Sequence, residues 1–182
     1  MIDSKQASEA LTEIDEIVGR VRQSRIYNLA SLIMIMWGVL VVAGYVATYL
    51  SPRSGSYFWT AVYLAGIAGS FAISRLRQTR ETVRTFDLRI FAAFALFVAF
   101  GIFCSWFGHF TPRQLGTFWP IYFMLAYSIA GLWAGYAFVA IGLGITALTL
   151  IGYFFAGSWF DLWMAVVNGG GLMLGGLWMR RS

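Results

Sequence analysis

One polar residue with hydrogen-bonding capacity lies deep in an apolar stretch near the C-terminus: Asn168, in LWMAVVNGGGLMLGGLWMRRS (162–182). A carboxamide in such a stretch cannot satisfy all of its donors and acceptors on its own helix, so it is expected to face a neighbouring helix or a wet cavity. The glycines that follow it allow two helices to approach closely, and two of them form a GxxxG pair. The candidate site, for helix packing or for contact with a solute, comprises Asn168, Gly169, Gly170, Gly171 and Gly175.

The titratable groups that could catalyse a reaction or bind a metal are few and scattered. His109 is the only histidine and Cys104 the only cysteine, and they lie five positions apart, which puts them on different faces of a helix. Asp161 is the only acid of the predicted outer half, at the start of an apolar segment, where a helix N-terminus favours an anion. Asp87 lies on the opposite, inner side. General acid–base catalysis needs such groups together, so we expect a non-enzymatic protein with no catalytic residue, no metal and no cofactor.

Sequence motifs of the common catalytic and nucleotide-binding sites are also missing from the chain. It contains no P-loop, no dinucleotide-binding glycine fingerprint and no HExxH pair. The glycine-rich end is not typical of a phosphate-binding loop, because no strand precedes it and no Lys-Ser or Lys-Thr follows it.

The overall composition is that of an integral membrane protein. Of 182 residues, 59% are hydrophobic and only 12% are charged, whereas soluble domains carry about 25% charged residues. The net charge of +5 comes from arginines that flank the apolar segments. With no surface of alternating basic and aromatic residues, the charge does not indicate a nucleic-acid partner.

Six apolar segments are long enough to cross a membrane as helices. The predicted spans are 28–50, 57–74, 88–107, 117–134, 136–156 and 160–178. No residue between Leu115 and Trp159 is charged, and the only break in that stretch falls between Gly131 and Tyr136. Pro120 is placed at the start of the fourth helix, where its missing N–H does no harm. The prediction is an all-α, polytopic protein with six transmembrane helices; five spans, one of them long and tilted, are the alternative.

Residues 1–27 predict an amphipathic helix that precedes the first span. Leu11, Ile14, Val18 and Val21 recur at spacings of three and four. We expect this helix to lie on the cytoplasmic face of the membrane; a helix that docks a partner protein is the alternative.

The positions of the arginines predict the orientation. With the N-terminus inside, ten arginines flank the inner ends of the spans and only Arg53 and Arg113 lie outside, so both termini are expected in the cytoplasm. The inner loop after the second span is expected to contact anionic lipid headgroups or a partner protein through Arg75, Arg77, Arg80 and Arg84.

Three of the predicted spans begin alike, and this suggests a repeat of three tandem helical hairpins. The similar starts are Phe58-Trp59, Phe118-Trp119 and Leu162-Trp163. An interfacial tryptophan at the start of a helix is common, so a membrane-interface belt of aromatic residues explains the same pattern.

The segments IDEIVGRVRQSRIY (14–27) and LWMAVVNGGGLMLGGLWMRR (162–181) resemble a group of small bacterial proteins, known mainly as uncharacterised integral membrane proteins. The resemblance implies a bacterial cytoplasmic (inner) membrane and no particular activity, and a further glycine would be expected in that group at position 168. Two function classes follow from the sequence. The first is a sensor, regulator or accessory subunit that works through partners, as a homo-oligomer or with another membrane protein. The alternative is a small transporter or channel with a solute site near Asn168.

Overall fold

The computed structural model describes residues 4–78 and 88–181, and this part of the chain is helical with no strand. The helices are α1 (Ser4–Leu50), α2 (Gly55–Gln78), α3 (Leu88–Phe107), α4 (Pro112–Ala134), α5 (Tyr136–Phe155), α6 (Phe160–Met164) and α7 (Gly171–Met179). A π-helical segment, Ala165–Gly170, joins α6 to α7 without a break. These last three elements are together called the C-terminal helix. The predicted all-α class is confirmed.

Five helical segments of the described chain are long and apolar enough to cross a membrane, which is the architecture of a multi-pass membrane protein. They are Tyr27–Leu50, Pro52–Leu76, Pro112–Ala134, Tyr136–Phe155 and Gly157–Met179. A sixth apolar stretch, Phe91–Phe107 within α3, is shorter. Six spans therefore stay a prediction, although all six predicted segments are helical.

Helix α1 differs from the prediction, because the N-terminal segment and the first span form one uninterrupted helix of 47 residues. At 1.5 Å per residue this helix is about 70 Å long. A helix that lay flat on the membrane and then crossed it would have to bend sharply. Such bends occur at proline or at glycine–serine pairs, and neither lies between residues 20 and 30. The part of α1 from residue 4 to residue 26, about 35 Å long, is called the N-terminal rod.

The core is built around α1 and the C-terminal helix, which run antiparallel and pack against each other along much of their length. Met34 of α1 and Met164 of the C-terminal helix are fully buried. Helix α5 packs on the C-terminal helix, α4 pairs with α5, and α2 packs on α1. The most extensive pairs are α4 with α5 and α1 with the C-terminal helix.

The turn between α4 and α5 is as tight as the sequence predicts. Helix α4 ends at Ala134 and α5 begins at Tyr136, so Gly135 is the only connecting residue. Its φ of 132° and ψ of 156° lie in a region that only glycine adopts readily. The alternative of one long helix through this segment is therefore wrong.

Helix α3 is attached to the rest of the bundle mainly through α4. The ring of Phe97 stacks on Tyr122 with centroids 4.1 Å apart, and the Tyr122 hydroxyl donates a hydrogen bond to the Phe97 carbonyl at 2.9 Å. Gly101 allows the rings of Trp119 and Tyr122 to come close to the α3 backbone. Most other side chains of α3 are exposed.

Pro120 lies inside α4 rather than at its start, which corrects the prediction. The helix begins earlier, at Pro112, because Thr111 and Gln114 form a capping box that satisfies its first N–H groups. Pro120 has no N–H for the carbonyl of Gly116, four residues earlier. The hydroxyl of the buried Tyr45 in α1 donates a hydrogen bond to that carbonyl at 2.7 Å. A defect in one helix is thus repaired by a side chain from another.

This arrangement predicts a non-additive pair of substitutions. We expect Tyr45→Phe to lower the free energy of unfolding by about 1–2 kcal/mol, because the Gly116 carbonyl loses its donor in an apolar setting. In a Pro120→Ala background the alanine N–H supplies the missing donor, and the cost of Tyr45→Phe should fall below about 0.5 kcal/mol. Unfolding of the four proteins in detergent micelles measures both costs. Equal costs in the two backgrounds would show that the hydroxyl does not replace the missing N–H.

Candidate functional site

Asn168 lies in the π-helical segment Ala165–Gly170, in the middle of the C-terminal helix. A π-helix has hydrogen bonds between residues five apart and is wider than an α-helix. Such segments are rare and occur frequently at functional sites. The stretch around Asn168 that the sequence indicates as a candidate site is thus unusual in the structure as well. Its π-helical conformation, however, was not predicted from the sequence.

The Asn168 side chain is enclosed between two helices. It is 3% exposed, and its Nδ2 donates a hydrogen bond to Thr149 Oγ1 of α5 at 3.2 Å. The same nitrogen lies 3.6 Å from the sulfur of Met164, one turn earlier in the C-terminal helix. Thr149 and Met164 are fully buried. The carboxamide thus joins the C-terminal helix to α5 in the interior of the bundle.

The glycines beside Asn168 face different neighbours. A Cβ at Gly169 would lie 2.8 Å from the carbonyl oxygen of Gly38 in α1, so the two backbones touch there. Gly171 instead faces the side chain of Ile145 in α5, and Gly175 faces Ile141 of α5 and Met34 of α1. The predicted GxxxG pair therefore accommodates side chains, and the backbone-to-backbone contact is made by other residues. Gly170 has no described atom within 4 Å of an added Cβ.

A second backbone contact joins the same two helices one heptad away. A Cβ at Gly176 would lie 2.8 Å from the carbonyl oxygen of Ser31. Gly169 and Gly176 are seven residues apart, as are Ser31 and Gly38, so small residues meet at a matching period on antiparallel helices. Sequence reasoning overlooked this seven-residue spacing, and it also overlooked Thr149 as the partner of the carboxamide. The Ser31 hydroxyl has no hydrogen-bond partner in the described part of the chain.

The buried polar pair leads to a stability prediction. We expect Asn168→Ala and Thr149→Val each to lower the free energy of unfolding by about 0.5–1.5 kcal/mol, because each removes one interhelical hydrogen bond. The double variant should cost less than the sum, since the bond can be lost only once. Thr146→Val, one turn earlier in α5, is the matched control and should be nearly neutral. Strict additivity of the two substitutions would contradict a direct bond.

Two apolar grooves lie on the bundle surface, and Asn168 lines neither of them. One, of about 320 Å³, runs between α5 and the C-terminal helix past Ala140, Gly144 and Trp178. Ala140 and Gly144 have the four-residue spacing of small residues that is typical of helix contacts, but here they border an open groove. The other, of about 430 Å³, lies between α3, α4 and α5, beside Phe94 and Phe138.

A second polar cluster ties together the predicted outer ends of α4, α5 and α6. The guanidinium of Arg113 donates hydrogen bonds to the carbonyls of Tyr153, at 2.8 Å, and Gly157, at 3.1 Å. It also lies over the rings of Tyr153 and Phe160, 5.6 Å and 4.9 Å from their centroids. Asp161 is half-buried in the first turn of α6, a position at which the helix N-terminus stabilises a negative charge. Arg113 thus satisfies two carbonyl oxygens, one in the last turn of α5 and one just beyond its end.

The remaining predicted residues that the structure describes are not brought together at one site. Arg75 is exposed near the end of α2, and the side chain of Arg77 lies outside the described part. Arg80, Arg84 and Asp87 also lie outside the described residues. His109 sits in the exposed turn before α4 with a positive φ of 46°, and Cys104 is half-buried on α3. Across residues 4–78 and 88–181, no three His, Cys, Asp or Glu side chains lie together as metal ligands would.

The buried polar groups around Asn168 are the site from which the chemistry of this chain is best judged. Within this site the chemical groups are one carboxamide, one hydroxyl and one thioether, none of which is a general base that could activate the hydroxyl. No family model matches the chain, and neither a curated protein nor a solved structure is significantly similar to it.

Proposed function

We propose that this chain is a non-enzymatic membrane protein that acts through protein partners, as a sensor, regulator or accessory subunit. The observation that carries the proposal is the unbroken helix α1. It joins the N-terminal rod, which precedes the apolar segment Tyr27–Leu50, to a close backbone contact of the bundle, where Gly38 meets Gly169. A partner bound to the rod would act directly on the position of the C-terminal helix.

The π-helical segment supplies an element on which such a signal could act. A helix with one π turn can convert to a regular α-helix by a shift of one residue, and this rotates everything beyond the turn. Here the segment is placed against α1 through Gly169 and against α5 through Asn168 and Thr149. Two packings of similar energy are what a switch needs.

The proposal includes six spans, with both termini in the cytoplasm of a bacterium. Helix α3 has 20 residues and so is about 30 Å long, the thickness of a bilayer's hydrocarbon core. Ten arginines flank the ends on the side of the N-terminus and two flank the others. The exposed Arg75, with the arginines that follow it in sequence, favours contact with anionic lipid headgroups.

Site-specific photo-crosslinking in cells tests the partner-mediated role. A photoreactive residue at Glu13, exposed on the rod, or at Arg75 should yield an adduct with one specific protein. The same residue at Ile102, exposed on α3, should give only lipid adducts. The proposal fails if neither position captures a protein and the purified chain alone moves a solute across liposomes.

A small transporter or channel with a site near Asn168 is the second candidate. The observation that favours it is the buried carboxamide within a π-helical segment, whose nitrogen donates a hydrogen bond to Thr149. This candidate would be supported if the protein moves a solute across liposome membranes and Asn168→Ala abolishes that flux. The variant must remain folded, with a loss in the free energy of unfolding no larger than the roughly 0.5–1.5 kcal/mol expected above for one lost hydrogen bond. Flux that is absent in both proteins would favour the partner-mediated role.

A further inference from the structure

The groove between α5 and the C-terminal helix is open along one side of the bundle. Both helices lie in apolar segments long enough to cross a membrane, Tyr136–Phe155 and Gly157–Met179, so the open side faces the acyl chains of a bilayer. The groove has a volume of about 320 Å³. Its lining is apolar and includes Ala140, Ile141, Gly144, Gly171, Leu174 and Gly175.

The two helices touch at the floor of this groove and separate above it. Side chains of α5 reach the C-terminal helix there, Ile141 at Gly175 and Ile145 at Gly171. On the rim, an added Cβ at Gly144 would meet no described atom within 4 Å. Packing within the described chain thus gives no reason for a glycine at this position, although glycine weakens a helix interior relative to alanine. Its small size keeps the rim of the groove open.

The dimensions of the groove suit a single hydrocarbon chain. Along α5 it extends from Ala140 to Leu148, about 12 Å at 1.5 Å per residue. Averaged over that length, its volume corresponds to a width on the order of 5 Å. A helix is about 10–12 Å across with its side chains, so a helix of another protein could lie only on the rim.

The depth of the groove corresponds to one leaflet of a bilayer. It begins about one turn after the first residue of α5, Tyr136, and ends near the middle of that helix. The hydrocarbon core of a bilayer is about 30 Å thick, and one leaflet contributes half of it. An acyl chain that enters at the Tyr136 end therefore follows the groove towards the middle of the membrane.

Aromatic and basic side chains lie at the end of the groove where such a chain would enter. The indole of Trp178 lines the groove, and the ring of Tyr136 packs edge-on against it with centroids 6.0 Å apart. Arg180 and Arg181 follow directly and are exposed. Trp and Tyr favour the headgroup level of a membrane, and long arginine side chains reach it. A guanidinium group is also well suited to bind a phosphate.

We propose that this groove binds one acyl chain of an anionic phospholipid, with the headgroup phosphate held by Arg180 and Arg181. Lipid tails are as apolar as the groove, so filling it has little hydrophobic driving force. The preference for one lipid over another must come from the headgroup, and basic residues beside membrane helices select anionic headgroups. The bound lipid contacts α5 and the C-terminal helix together and stabilises their pairing. The site does not depend on the proposed function, since the chain alone forms it.

Site-specific photo-crosslinking to lipid tests the groove. An aliphatic residue with a diazirine group replaces either Leu174, which is exposed and lines the groove, or Leu143, which is exposed on α5 outside it. The full chain is placed in vesicles of phosphatidylcholine with about one-tenth phosphatidylglycerol, a membrane in which headgroup charge distinguishes the two lipids. Adducts at position 174 should be enriched in phosphatidylglycerol at least ten-fold over the vesicle ratio, and adducts at position 143 should match that ratio.

Two double variants separate the arginines of the groove from net charge. Arg180→Gln with Arg181→Gln should return the adducts at position 174 to the vesicle ratio. Arg75→Gln with Arg89→Gln removes the same charge from exposed residues that do not line the groove, and should leave the enrichment unchanged. Equal losses in both double variants, or no enrichment in the wild type, would mean non-specific boundary lipid only and would overturn the proposal. A protein adduct at position 174 in native membranes would overturn it in favour of a partner helix.

Thermal unfolding gives an independent readout of the same site. A lipid that binds only the folded protein raises its unfolding temperature, so phosphatidylglycerol should stabilise the wild type and the Arg75→Gln, Arg89→Gln variant. It should not stabilise Gly144→Leu, which narrows the groove, or the Arg180→Gln, Arg181→Gln variant. All four proteins should unfold alike in phosphatidylcholine alone, which shows that each is folded. Stabilisation of all four by phosphatidylglycerol would contradict a lipid site in this groove, whereas failure of the partner crosslinks from Glu13 would not.

Discussion

Gly169→Ala is expected to lower the free energy of unfolding by about 2–3 kcal/mol, whereas Gly170→Ala should leave it nearly unchanged. An added Cβ at position 169 would overlap Cγ2 of Val42 and lie 2.8 Å from the Gly38 carbonyl oxygen. A backbone oxygen cannot turn away as a flexible side chain can, so the two helices must separate. At Gly170 the added methyl meets no described atom within 4 Å.

The two adjacent glycines form a matched pair, since they share the same helix and the same depth. Unfolding of both variants in the same detergent measures the difference, and a further control is Gly144→Ala on α5, where an added Cβ also meets no described atom within 4 Å. Similar losses at positions 169 and 170 would mean that helix flexibility, rather than the contact with α1, makes glycine necessary in this stretch.

Arg113→Ala is expected to cost about 3 kcal/mol, because two hydrogen bonds from a charged group are lost together with the aromatic contacts. Two carbonyls near the end of α5, those of Tyr153 and Gly157, lose their donors. Arg113→Lys should recover less than half of the loss, since an ammonium cannot bond both carbonyls and also stack on the Tyr153 and Phe160 rings.

Arg53 is the appropriate control for this substitution. It is the other predicted outer arginine and is exposed in the turn before α2. Thermal unfolding of Arg53→Ala should match that of the wild type. If both arginines cost the same to remove, the effect would come from the net charge of the outer end and not from the geometry around Arg113.

The sequence predicted the helices well, because a membrane segment must be apolar and about 20 residues long. The segment 88–107 coincides with α3, and 136–156 differs from α5 by one residue. The turn at Gly135 followed from a charge-free stretch too long for one helix. Ends that depend on polar capping were less predictable, and α4 begins five residues before the predicted start at 117 because Thr111 and Gln114 cap it.

The candidate site was predicted only in its location. The apolar surroundings of Asn168 in the sequence indicate that its carboxamide needs a hydrogen-bond partner. Which hydroxyl on a neighbouring helix is that partner depends on how the helices are rotated, so Thr149 could not be identified from the sequence. GxxxG spacing indicates a close contact without identifying the neighbour: Gly171 meets α5, and Gly175 meets side chains of both α5 and α1. The π-helical segment has no local sequence code, since the same residues suit an α-helix, and tertiary packing decides the difference.

The pairing of α1 with the C-terminal helix has a consequence for biosynthesis. As the ribosome delivers the spans in order, α1 enters the membrane first, but the surface around Gly38 and Ser31 finds its partner only when Gly169 and Gly176 have been translated. Until then the intermediate resembles a loose set of hairpins with its central seam open to lipid. A nascent chain interrupted before residue 160 would lack the C-terminal helix, and membrane proteases would meet an unfinished bundle in which this surface of α1 is still uncovered.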